Sequence, residues 1–187
     1  MSGSPPERPS PSQSTEPSAD WIARLRAGDP SAGEWVEQQY RPALVRLCLG
    51  YLGDQGEAED AVQDVLAKVL ASRVVPDRFR TWLYATARNH CLNLLRSRRR
   101  HATVPLPSTT PIAATQTGFL SKLVRAESQA RLVEAFASLS VDEQEALRLR
   151  YAEQLARDEI AEITGVPPST VKSRLFAGLQ KLRSALG

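Results

Sequence analysis

The sequence predicts an all-α protein of two helical domains joined by a flexible linker. Three observations carry this. Apolar residues recur at spacings of three and four through most of the chain and nowhere alternate as a half-buried strand requires. Residues 102–118 (ATVPLPSTTPIAATQTG) hold three prolines, five threonines and no charge, which interrupts the helical pattern. The length of 187 residues leaves room for two compact modules of under about 100 residues each.

Residues 1–19 contain six serines and five prolines and almost no apolar side chain, so they read as a disordered tail that cannot bury a core. Order is expected to begin at Asp20, read as the N-cap of a helix over 21–27 that closes at Gly28. A second helix runs over 31–52 with a kink expected at Pro42, whose ring nitrogen has no hydrogen to donate. Gly53 and Gly56 frame a turn. Over 57–72, Ala58, Ala61, Val62, Val65, Leu66, Val69 and Leu70 repeat at three and four, the pattern of an amphipathic helix. Pro76 breaks the chain before a long helix over 78–100. Beyond the linker, helical pattern resumes over 119–138, 141–151, 158–164 and 168–186.

Composition narrows the function. Hydrophobic residues make up 42% and charged ones 24%, ordinary for a soluble globular protein. No apolar run approaches the ~18 residues of a membrane span, and the N-terminus lacks a signal-peptide core, so a cytoplasmic location is expected. Two cysteines, Cys48 and Cys91, are too few for a disulfide scaffold or a cysteine-rich zinc site. Neither these with His90 and His101 nor any serine, histidine and aspartate set has catalytic or ligand spacing. No enzyme, metal or cofactor is expected.

The net charge of +3 conceals segregation. Residues 54–77 carry six acids against two bases, and residues 78–125 carry nine bases and no acid. Residues 126–162 carry nine acids against four bases, and residues 163–187 carry four bases and no acid. Two basic blocks, each after an acidic one, suggest two polyanion-binding surfaces attached to regions with another task.

The second basic block falls on the layout of a helix-turn-helix, ARDEIAEITGVPPSTVKSRLFAGLQKL. Ile160, Ala161 and Ile163 line the inner face of its first helix, Gly165 makes the turn, and Pro168 suits a first helical position. Val171, Leu175, Leu179 and Leu182 fall on one stripe of the second helix and are expected to pack inward. The opposite side carries Ser169, Thr170, Lys172, Ser173, Arg174, Phe176 and Gln180. Short hydroxyls permit close approach to a major groove, cations meet phosphates or guanine edges, and Phe176 either touches a thymine methyl or tucks against a neighbouring helix.

In the helix over 57–72, Glu59, Asp60, Gln63 and Asp64 stand outside the apolar stripe. Carboxylates repel phosphate, so a functional role for this strip means a basic protein surface. The helix over 78–100 is the reverse. Phe79, Leu83, Ala87, Cys91 and Leu94 form its core stripe, and the far side carries Arg88, Asn89, Leu92, Arg96 and Arg99, with Trp82 and Asn93 at the edge. Arginines for phosphates, amides for base edges and an aromatic for stacking suit a nucleic-acid face.

AEDAVQDV (58–65), FRTWLYATARN (79–89) and LLRSRRR (94–100) resemble region 2 of bacterial sigma factors, and EIAEITGVPPSTVKSRL (159–175) resembles their region 4. Their order, with a linker and no other region, is similar to the extracytoplasmic-function (ECF) class of the sigma-70 family. The resemblance implies a region 2 helical bundle over 20–101, the linker over 102–118 and a region 4 helix-turn-helix domain over 119–187. It implies a subunit that binds core RNA polymerase and directs initiation at promoter DNA. Core docking on the β′ coiled coil would fall to Asp60, Gln63 and Asp64, within the strip that includes Glu59. Reading and opening the −10 element would fall to Asp77, Arg78, Arg80, Arg88, Asn89, Asn93 and Arg96. The −35 element would be read by Thr170, Lys172, Ser173, Arg174 and Phe176, with region 4 also resting on the β flap. An anti-sigma factor is the further partner that the resemblance implies.

The linker agrees independently. Fully extended it reaches ~56–61 Å, and promoter elements about 17 base pairs apart are separated by ~58 Å. Three departures stand out. Ala85 and Thr86 replace the tryptophan pair of primary sigma factors, Asn93 replaces a frequent aspartate, and FAGLQ after SRL replaces an arginine-rich continuation. The alternative is a conventional helix-turn-helix regulator that does not bind core polymerase, which leaves the acid-then-arginine order of residues 54–100 unexplained.

Overall fold

The computed structural model describes residues 16–72, 74–101 and 126–186. The expected linker and the tail up to residue 15 lie outside the described residues. The first module comprises α1 (Ala19–Ala27), α2 (Pro30–Leu52), α3 (Gln55–Ala71) and α4 (Phe79–His101). The second comprises α5 (Ala126–Ala137), α6 (Val141–Leu147), a π-helical turn (Arg148–Ala152), α7 (Arg157–Thr164) and α8 (Pro168–Leu186). Among the described residues the secondary structure is helical throughout, as periodicity predicted.

Local chemistry sets the boundaries. The first helix starts two residues before the expected point. Ser18, not Asp20, is its N-cap, because the Ser18 hydroxyl accepts the Trp21 N–H and leaves Asp20 inside the electropositive first turn. Asp29 caps α2 through the Ser31 N–H at 2.9 Å, and Pro30 sits at the helix start where a missing N–H costs nothing. Gly28 and Gly53 end α1 and α2 in the left-handed region, at φ 76° and 78°. α2 runs as one helix from Pro30 to Leu52 with Pro42 inside it. Asp54 caps α3 by accepting the Glu57 N–H at 2.9 Å, so that helix starts before the expected residue 57. In the second module, Ser140 and Glu143 form a reciprocal capping box on α6. The helix expected over 141–151 is α-helical only to Leu147, then widens into the π-turn, and Gln154 follows at φ 56°.

The first core is built around an aromatic series. Trp21 stacks on Trp35 at 5.0 Å between ring centroids, Trp35 meets Tyr40 edge-on at 6.0 Å, and Tyr40 meets Phe79 at 5.6 Å. Offset and edge-on geometries each add ~0.5–1.5 kcal/mol beyond area burial. Trp82 extends the series, tilted against Phe79 at 6.0 Å and partly buried, so its ring belongs mainly to the packing. The predicted α3 stripe is buried from Ala58 to Val69, while Leu70 is exposed. Of the α4 stripe, Phe79, Leu83, Ala87 and Cys91 are buried and Leu94 is only partly so.

In the second module Val171 and Leu175 are buried as expected, but Leu179 is exposed. Leu179 alone stands off the core, and Leu182, the next residue of the stripe, packs against it partly buried. Gly178 lies under α6, where a Cβ would approach Leu147 Cδ1 to 2.9 Å, so the absence of a side chain lets the helices meet closely.

Cys48 of α2 and Cys91 of α4 are free, fully buried and hydrogen-bonded to one another. That hydrogen bond, followed by burial, pushes the Cys48 thiol far above its ordinary pKa, and thiols react as thiolates. Native protein is expected to resist a thiol reagent at neutral pH, with labelling that tracks unfolding across a urea titration. Rapid stoichiometric labelling without denaturant would contradict this packing.

Candidate polymerase and nucleic-acid interfaces

The acidic strip of α3 is presented in full. Glu59, Asp60, Gln63 and Asp64 are all exposed, backed by the buried stripe that anchors the helix. Gln55 Nε2 donates to Glu59 at 2.6 Å, and Asp60 has no ion pair among the described residues. His90 Nε2 lies 3.5 Å from Asp64 without a hydrogen-bond partner. Burial, then the Lys68 charge, hold the His90 pKa below its usual value, so the imidazole is neutral at pH 7.

The α4 residues expected to read nucleic acid divide into two groups. Asn89, Asn93 and Arg96 are exposed, with Arg96 donating to Asn93 Oδ1 at 2.9 Å. The other cations are turned towards the second module. Arg88 pairs with Glu145 through two hydrogen bonds of 2.7 and 3.1 Å, with side-chain exposures of 18% and 4%. Arg80 donates to the Glu153 carbonyl at 2.6 Å and lies 3.6 Å from Glu159, and Arg78 pairs with Glu162. Burial alone would lower the Arg88 pKa, but the Glu145 hydrogen bond and charge outweigh it and raise it.

Asp77 is exposed at the end of the loop before α4 and is held from α1. Arg26 donates to the Val75 carbonyl at 2.8 Å and to Asp77 Oδ1 at 2.7 Å. At the first turn of α4, Glu16 accepts the Arg80 backbone N–H at 3.0 Å. Burial raises the pKa of Glu16 despite that hydrogen bond.

The helix-turn-helix forms as read. Gly165 occupies the left-handed region at φ 71°, and α8 follows after Pro167. Ser169, Lys172, Ser173 and Phe176 are exposed and Thr170 is partly so. Phe176 is 68% exposed, which excludes the alternative that it tucks against a neighbouring helix. Arg174 is held by Asp142 of α6, and Lys181 pairs with Glu143 at 2.8 Å. The Lys181 hydrogen bond holds the Glu143 carboxyl below its usual range despite burial.

Several residues at the junction were not legible as functional. Tyr51 and Arg88 both reach Glu145, Arg148 donates to the Gly50 carbonyl, and Arg46 and Tyr84 both meet the Glu153 carboxylate. One signal was available: Arg80, Tyr84 and Arg88 are four residues apart and so share a face of α4.

Residues 38–101 match the family model "Sigma-70 region 2", and residues 129–182 match "Sigma-70, region 4". The chain belongs to the sigma-70 family and to its ECF class of RNA polymerase sigma factors. The ECF RNA polymerase sigma factor SigW of Bacillus subtilis is 26% identical over 176 residues, covering 88% of this chain and 94% of the relative. RNA polymerase sigma factor SigV of the same organism is 30% identical over 151 residues, covering 79% and 86%. In fold, the chain is similar to CnrH in complex with the cytosolic domain of CnrY, with TM-score 0.64, 20% identity and coverage of 89% of this chain and 95% of that one. It is also similar to RpoE of Bartonella quintana in complex with the anti-sigma factor NepR, with TM-score 0.61, 23% identity and coverage of 82% and 95%. The family is one of transcription initiation factors. Two matched regions in this order replace the alternative of a conventional helix-turn-helix regulator. Among the described residues, no helix is long and apolar enough to cross a membrane.

The Arg26 clamp gives a test of local order. A hydrogen bond from a charged donor is worth ~1.5–3 kcal/mol. Arg26→Ala is therefore expected to speed native-state tryptic cleavage after Arg78, at the end of this loop, about tenfold. An unaltered cleavage rate there would show that α1 does not hold the loop.

Proposed function

We propose that this sigma factor divides initiation among three surfaces and carries out no chemistry itself. The α3 strip of Glu59, Asp60, Gln63 and Asp64 docks on the β′ coiled coil of core polymerase. Asp77, Arg78, Arg80, Arg88, Asn89, Asn93 and Arg96 read and open the −10 element. Ser169, Thr170, Lys172, Ser173, Arg174 and Phe176 read the −35 element in the major groove, while region 4 rests on the β flap. The domain division is 20–101 and 119–187 with 102–118 as tether, and the site of action is the cytoplasm. An anti-sigma factor is a further partner, supported by similarity in fold to an RpoE bound to NepR.

The observation that carries the docking role is the full exposure of the strip on a helix whose other side is buried. Close opposite charges across an interface steer association and fix register, and like charges exclude it. Asp60→Arg places a cation against a basic partner without disturbing an internal pair. It is expected to reduce capture of core polymerase at least about tenfold, a cost of ~1.4 kcal/mol, with an unchanged circular dichroism melt. Undiminished capture in a pull-down would overturn the docking role.

For the −35 face, each phosphate contact contributes about one unit to the slope of log affinity against log salt. Lys172 is exposed and lies beside Ser173 and Phe176. Lys172→Ala is expected to lower that slope by ~1 for holoenzyme on promoter DNA, uniformly across sequences. Phe176→Ala is expected to alter base preference with the slope unchanged. An unchanged slope for Lys172→Ala would move the phosphate contact elsewhere.

A further inference from the structure

We propose that His90 makes docking on core polymerase proton-linked by acting through Asp64 of the acidic strip. The neutral imidazole leaves that carboxylate to the partner, and the protonated one takes it. This rests on the docking reading above and adds to it a residue of α4 and a dependence on pH.

His90 lies where α4 packs on α3, with its side chain 16% exposed. Its Nε2 is buried and has no hydrogen-bond partner, an arrangement that is rare for a polar atom in a packed position. Asp64 Oδ2 stands 3.5 Å from that nitrogen, and the Asp64 side chain is itself 64% exposed. One carboxylate therefore borders both the imidazole and the open side of the strip. Among the described residues, the charged groups that face the ring are Asp64 and Lys68, both of α3. The neighbours one turn away on α4, Thr86, Ala87, Asn93 and Leu94, carry no charge. α2 and α7 also pack on α4 and bring no charge to the ring.

Burial and Lys68 oppose the imidazolium, and Asp64 favours it. The neutral ring prevails at pH 7, and the cation gains as pH falls below the ordinary histidine range. In the imidazolium both ring nitrogens are donors. A small approach then turns the gap to Asp64 into a charge-assisted hydrogen bond. The strip of Glu59, Asp60 and Asp64 loses one unit of negative charge to this pair. A basic partner surface meets less attraction there, together with a like charge on His90. Docking on such a surface therefore favours the neutral ring and releases its proton to solvent, so affinity falls as pH falls.

The test titrates labelled full-length protein with sigma-free core polymerase at fixed ionic strength, from about pH 7.5 to about pH 5.5. Wild type is compared with His90→Gln, which is never charged, and His90→Arg, which is always charged. The comparison cancels titration of polymerase itself and of His101. Wild type is expected to follow His90→Gln at the upper end and to move towards His90→Arg at the lower end, losing at least about fivefold relative to His90→Gln. Parallel curves for wild type and His90→Gln would overturn the proposal, as would His90→Arg binding as tightly as His90→Gln. A second measurement needs neither polymerase nor a substitution at His90. Nuclear magnetic resonance of the ring protons follows the His90 titration in the free chain. Asp64→Asn is expected to move its midpoint to lower pH, because the carboxylate that favours the cation is gone. An unmoved midpoint would equally overturn the coupling. Asp60→Arg reports on the docking reading alone: capture that survives it refutes docking, whereas parallel pH curves with that capture lost refute only the role of His90.

Discussion

The contact between an acid-rich second module and an arginine-rich first module is the interaction on which the arrangement of this molecule depends. Glu145, Glu153, Glu159 and Glu162 are matched to Arg88, Arg46, Arg80 and Arg78. Like charges on these two faces would keep the modules apart, since a buried unpaired charge costs several kcal/mol. The same pairing engages four of the nine acids over 126–162 and three of the nine bases over 78–125. Charge segregation along the chain becomes charge complementarity in space.

Each module is nonetheless framed by its own local chemistry. In the first, side-chain caps at Ser18, Asp29 and Asp54 and glycine stops at Gly28 and Gly53 set helix ends through contacts a few residues apart in sequence. The aromatic series from Trp21 to Phe79 then ties α1 and α2 to the first turn of α4. In the second, the Ser140–Glu143 capping box and the turn at Gly165 do the same for the helix-turn-helix. Burial of one face of α3 and of α8 turns the opposite faces outward, so the surfaces assigned to polymerase and to the −35 element are consequences of core packing. The surface assigned to the −10 element differs, because three of its seven residues, Arg78, Arg80 and Arg88, face the second module.

Helix identity and the exposed faces were legible because they follow from short-range rules: apolar spacing, caps, prolines and glycines. The strip from Glu59 to Asp64 and the α8 face from Ser169 to Phe176 lie where their spacing predicted. Boundaries slipped where two capping residues compete, as at Ser18 and Asp20, and one residue of a stripe, Leu179, stands off the core. The π-turn at Arg148–Ala152 had no signature in periodicity, since a single wide turn shifts the phase of a pattern already short.

By itself, the sequence determined two helical modules, their order, the family they belong to and the sign of charge on each face. These properties are encoded within windows of a few turns. Only the tertiary structure decided that Arg78, Arg80 and Arg88 face carboxylates rather than solvent, and that Arg46, Tyr51 and Tyr84 belong to the same junction. Those pairs join residues about 60 to 110 positions apart, as in Arg88 with Glu145 and Arg46 with Glu153. Charge is visible in a sequence, but the choice among equivalent partners is made by which helix faces the cores leave free.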